Sequence, residues 1–137
     1  MSTLSVSTIK SLNSNPPVFQ NSSGVEKGML ANEWISLNGY SMVIRASFGI
    51  SSVTDMATGR YKFNFSTSYS NNHYSWTGAA STAGSNRTTP RALCQFSSNI
   101  NISNNLMLSG SCEVMCAQLD NALNDGDFIF FQCFGDK

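Results

Sequence analysis

A chain of 137 residues and 14.8 kDa is the size of one domain and leaves little room for two independent cores. Eight Lys and Arg against eight Asp and Glu give a net charge of zero, which excludes the basic footprint of a nucleic-acid binder. Only 12% of residues are charged, the polar balance falls on Ser, Asn and Thr, and no apolar run approaches the roughly 20 residues of a membrane helix, so membrane insertion is not expected.

In chain order, the opening MSTLSVSTIKSLNSNPP has neither a continuous apolar h-region nor a basic n-region. The sequence therefore predicts no secretory signal and folding in the cytosol. Residues 1–30 include Pro16, Pro17 and a Ser/Asn-rich run with no sustained period, which predicts an extended N-terminal arm ahead of a β domain at 31–137. Leu4, Val6, Ile9, Val18 and Phe19 are too many apolar residues for a solvated tail, so the arm is expected to dock on a neighbouring subunit or another protein. The alternative is an edge strand of the same domain.

From Glu33 onward the dominant period is two, the mark of strands buried on one face. Over Met42–Ile50 the alternation sends Met42, Ile44, Ala46, Phe48 and Ile50 inward and Arg45, Ser47 and Gly49 outward. Over Arg60–Ser66 it sends Tyr61, Phe63 and Phe65 inward and Lys62 and Asn64 outward. The intervening SSVTDMATG reads as a hairpin connection, making these two strands antiparallel neighbours. Further strands are predicted at Glu33–Leu37, Tyr74–Ala80, Ala92–Ser97, Leu106–Ala117 and Asp127–Phe134. The best helical candidate, Gln118–Asn124, is too short and too rich in Asp and Asn. About seven strands separated by polar turns predict an all-β fold, an antiparallel β-sandwich of jelly-roll or immunoglobulin-like type.

Chemistry-bearing motifs are sparse. His73, the one histidine, sits in a turn-like stretch with no Gly-x-Ser-x-Gly motif in the chain, and reads as a surface residue. Of the carboxylates, Asp55 falls in the predicted hairpin, Asp125 and Asp127 flank Gly126, and Glu113 lies inside a strand, directed to solvent or an interface; no glycosidase pair stands out. The run Asp120–Asp127 fails the calcium-loop pattern, with Ala122 at position three and Phe131 at position twelve. Cys112 and Cys116 on one strand would stand about 13 Å apart, roughly twice the reach of a disulfide. With Cys94 and Cys133 they are expected to be reduced thiols, and no metal or other cofactor is predicted. Tyr69, Asn71, Asn72, His73 and Tyr74 combine aromatic faces with amides and form a candidate glycan contact, set against core packing for the tyrosines.

The wording of Ile44–Thr67, IRASFGISSVTDMATGRYKFNFST, resembles a module of virion surface proteins of tailed phages, notably the tail-fibre and knob proteins of phages of aquatic bacteria and cyanobacteria. Val18–Gly24 and the closing Asp127–Gly135 agree with it. The resemblance implies a compact, non-enzymatic β domain, commonly a homotrimer, attached to the particle through its N-terminal segment. It transfers no binding residues, and Leu106–Cys116 and the Phe130–Phe131 pair depart from the pattern. The function expected is a virion structural protein, a tail fibre, knob or decoration protein assembled in the host cytoplasm. Its partners would be copies of itself, other virion proteins and a host glycan or protein. A stand-alone lectin-like module is the alternative.

Overall fold

The computed structural model describes residues 9–10, 18–20, 22–24, 26–82, 91–95, 106–118 and 122–137. Among these residues every element is a strand: β1 (Val18–Gln20), β2 (Glu26–Met29), β3 (Glu33–Asn38), β4 (Val43–Phe48), β5 (Ile50–Ala57), β6 (Arg60–Phe65), β7 (Ser75–Ser81), β8 (Arg91–Cys94), β9 (Met107–Leu108), β10 (Ser111–Gln118) and β11 (Phe128–Phe134). One sheet runs β5-β6-β10-β8 with β9 also on β10, and the other runs β4-β3-β11-β7, all antiparallel. Packed together they form the β-sandwich that the alternating sequence predicts.

The core lies between the sheets. Ile35 and Leu37 of β3 and Ile129, Phe131 and Cys133 of β11 meet Tyr61, Phe63 and Phe65 of β6 and Cys112, Val114 and Cys116 of β10. Phe63 and Phe131 join the layers with ring centroids 4.6 Å apart. The period-two reading of β6 holds because the strand has one face in this layer, whereas β10 places Cys112, Val114 and Cys116 in the layer and has Ser111 and Met115 of the other parity buried as well.

Met42–Ile50 departs from its expected course. Instead of pairing with β6, β4 pairs with β3 in the other sheet, and the segment expected to be a hairpin loop is strand β5, which pairs with β6. The chain changes sheets at Gly49, where φ is 71° and a Cβ would stand 2.6 Å from the Asn32 carbonyl oxygen. The tight turn comes later, at Thr58–Gly59, with Gly59 at φ 67°. Leu37 pairs with Ile44 and Ser36 with Ala46, so Arg45 is a bulge residue that breaks the alternation. All six residues of β4 are exposed, including the Ile44, Ala46 and Phe48 expected inside.

Leu106–Ala117 is divided by a turn at Ser109–Gly110, which breaks the parity linking Leu108 to Cys112; Leu108 is exposed and Cys112 buried. Within the expected arm, β1 and β2 pair with each other as a separate two-stranded sheet. Leu4 and Val6 lie outside the described residues, Val18 and Phe19 belong to β1, and Ile9 is exposed.

Candidate functional site

The segment after β6 carries the glycan-contact residues suggested by sequence, and the structure divides them. Tyr69 and Tyr74 are buried, stacked on each other at 4.4 Å, with Phe65 edge-on to both. The Tyr74 hydroxyl donates to the carbonyl oxygens of Leu108 and Ser111, at 3.1 and 2.9 Å. The Tyr69 hydroxyl donates to Glu33, a wholly buried carboxylate that also pairs with the Lys137 ammonium. Burial, the largest influence, raises the proton affinity of both phenols. Their rings close the end of the core and leave Asn71, Asn72 and His73 to meet the surface. The Asn71 side-chain oxygen accepts the His73 backbone N–H at 2.7 Å, which shapes the turn.

Other ionisable groups are committed to holding strands together. Glu113, expected in solvent or at an interface, is largely covered and takes a two-pronged contact from Arg60 on the neighbouring strand β6. Asp125 accepts from the Tyr61 hydroxyl at 2.8 Å and the Gly59 N–H at 2.7 Å, tying the last connection to the β5–β6 turn. All four cysteines are thiols, three of them buried and Cys94 half-buried. Burial pushes Cys112 up to about 12 and raises Cys116 and Cys133 as well, so these thiols pack as small apolar groups. Among the described residues, no cluster of three or more His, Cys, Asp and Glu could hold a metal ion.

Among the described residues, the surface richest in exposed large apolar side chains is the outer face of β4-β3-β11-β7. Strand pairing sets Phe48 beside Trp34, Trp34 beside Gln132 and Gln132 beside Thr77; the next row is Ala46, Ser36, Phe130 and Ala79. Trp34, Phe130 and Phe48 are 41, 46 and 59% exposed. Between the aromatics, small side chains on β3 and β7 leave a groove of about 500 Å³ lined by Trp34, Ser36, Thr77, Ala79, Phe130 and Gln132. Phe128 extends the aromatic row, its ring stacked 6.4 Å from Phe130. Arg45 lies 4.4 Å over the Phe128 ring and donates to the Asp127 carbonyl oxygen at 2.6 Å, turning the nearest charge along the face. This face can bind by shape, aromatic contact and neutral hydrogen bonds.

Sequence reasoning missed this site, although β11 carries its signal. Ile129, Phe131 and Cys133 on one parity and Phe128, Phe130 and Phe134 on the other make the strand apolar on both faces, more than one core can cover.

No family model matches the sequence, and no curated protein matches it. Among solved structures the chain is similar to the phiAB6 tailspike, crystallised in complex with three-repeated oligosaccharides of Acinetobacter baumannii surface polysaccharide, with 17% identity and a TM-score of 0.43. The match covers 100% of this chain and 30% of the tailspike chain, so the protein described here spans under a third of that chain's length.

Proposed function

We propose that this protein is a non-enzymatic structural component of a tailed-phage particle, a tail fibre, knob or decoration protein exposed on the virion and assembled in the host cytoplasm. The observation that carries the reading is the outer face of β4-β3-β11-β7, a broad aromatic surface poor in charge and suited to being covered in an assembly. The wording of Ile44–Thr67 supports it from the sequence side. The engagement of Glu33, Glu113 and Asp125 in structural contacts supports a non-catalytic role. Copies of the chain form a homo-oligomer, with a trimer the expected stoichiometry. Residues 1–30 attach it to other virion proteins, and its exposed surfaces contact a host glycan or protein.

A stand-alone carbohydrate-binding module is the second reading, favoured by the groove where Trp34 lies beside Gln132 and Thr77. Immunogold labelling of purified particles, with antibody raised against the purified chain, separates the two. Label on head or tail surfaces supports the virion reading. Particles devoid of the chain, with the chain recovered in the soluble lysate, would overturn it.

A further inference from the structure

Beyond the broad aromatic face, β4 has an unusual edge. It is the terminal strand of its sheet, paired on one side by β3, and among the described residues no strand pairs with its other side. The opposite sheet does not cover it either: Ile44, paired with the buried Leu37, is 41% exposed, and Val43 is 56% exposed. Edge strands are ordinarily guarded by an outward charge, but Arg45 is folded back onto Phe128 and Asp127. The adjacent edge β5 contrasts with it, carrying two register irregularities against the single Arg45 bulge of β4, and the polar residues Ser51, Ser52, Thr54 and Asp55.

We infer that the edge of β4 and the adjoining Trp34–Phe48–Phe130 face form one surface, and that its occupant is a second copy of this chain. This rests on the oligomeric reading above and names the surface that serves it. A row of backbone donors and acceptors is matched by another polypeptide strand, which a glycan does not supply. The matching surface must also be apolar and poor in charge; among the described residues the aromatic face meets that description, while the other sheet carries Lys62 and the Arg60–Glu113 ion pair on its outward side. Area explains why face and edge act together. Four strands of about six residues span about 400 Å² of sheet, whereas a stable interface takes about 800 Å² from each partner.

The test compares sedimentation of the full chain with that of Phe48→Glu, Val43→Lys and the control Met56→Glu, at micromolar concentration. Positions 48, 43 and 56 are all exposed, so each variant should keep the thermal unfolding profile of a folded domain. Expected are an oligomeric native chain, an association weakened at least about 100-fold in Phe48→Glu and Val43→Lys, and an unchanged Met56→Glu. An oligomer that persists in both β4 variants would overturn this surface and leave the oligomeric reading standing. A monomeric native chain would overturn both. A monomer in which Phe48→Glu abolishes binding to a glycan array would reassign the face to a sugar and overturn the proposal.

Discussion

The two sheets share one core, yet their outer faces follow opposite rules. On β5-β6-β10-β8, Arg60 meets Glu113, and Asn64 donates to Ser52 and Thr54 hydroxyls at 3.0 and 3.1 Å, so the charges and amides are bound among themselves, while Met115 on the outward parity of β10 is itself buried. On β4-β3-β11-β7 the corresponding rows hold Trp34, Phe48, Phe128 and Phe130. A face that water is to wet gains nothing from such residues, because exposed aromatic area costs free energy that burial would recover. The difference separates a side whose polar groups satisfy one another from a side whose exposed aromatics are built for contact.

The largest expected effect pits neighbouring residues on opposite sides of the contact sheet. Phe131 packs on Phe63 and stacks on Trp76 at 5.7 Å, so Phe131→Ala should cost about 3–5 kcal/mol in urea unfolding. Phe130→Ala, one residue along and facing outward, should cost less than about 1 kcal/mol when measured on dissociated monomer. Equal costs would erase the distinction between inner and outer face.

Next in size is the response to alkali, which asks whether both sheets enclose one dry core. Cys112 and Cys116 come from β10 and Cys133 from β11, and burial raises all three, Cys112 from 9.0 to about 12. The native state thus retains protons that the unfolded chain releases. The stabilisation is complete below pH 9 and is lost as pH rises from there through about 12, by about 1.4 kcal/mol per pH unit for each fully shifted thiol. Urea midpoints flat between pH 7 and about 10.5 would show that these thiols are not buried as described.

On the other sheet, Arg60→Ala should destabilise by about 1–2 kcal/mol, between the worth of an exposed and a buried ion pair. A loss insensitive to salt and missing in Glu113→Ala would point to packing of the Arg60 stem in place of the ion pair. The smallest change in stability is expected for Arg45→Ser, within about 0.5 kcal/mol. Its readout is solubility, which should stay unchanged because Arg45, folded back onto Phe128 and Asp127, does not guard the β4 edge; a fall in solubility would restore a guarding role.

The sequence revealed whichever strands follow a single rule. Tyr61, Phe63 and Phe65 alternate cleanly because β6 is central in its sheet, with one face in the core, and Cys112 and Val114 follow suit on β10. Met42–Ile50 alternates just as cleanly, but alternation records which residues share a side and not whether anything covers that side. The Arg45 bulge and the change of sheet at Gly49 depend on contacts with Phe128, Asp127 and Asn32, remote or across the fold. Tyr69 and Tyr74 were ambiguous for a related reason: a tyrosine beside asparagines suits a sugar site, and so does a buried phenol with a partner, here Glu33 for one and two carbonyls for the other. The aromatic face was legible in principle from the two-sided apolar pattern of β11, but its groove arises from three strands brought side by side.

Hydroxyl-radical footprinting of the native chain, from nanomolar to micromolar concentration, tests most directly whether the aromatic face is the one built for contact. Oxidation of Trp34, Phe48 and Phe130 should fall as copies associate, while Met56, on the opposite sheet and 44% exposed, should stay equally reactive throughout. Aromatic residues that remain as reactive at micromolar as at nanomolar concentration, or a Met56 protected along with them, would contradict it.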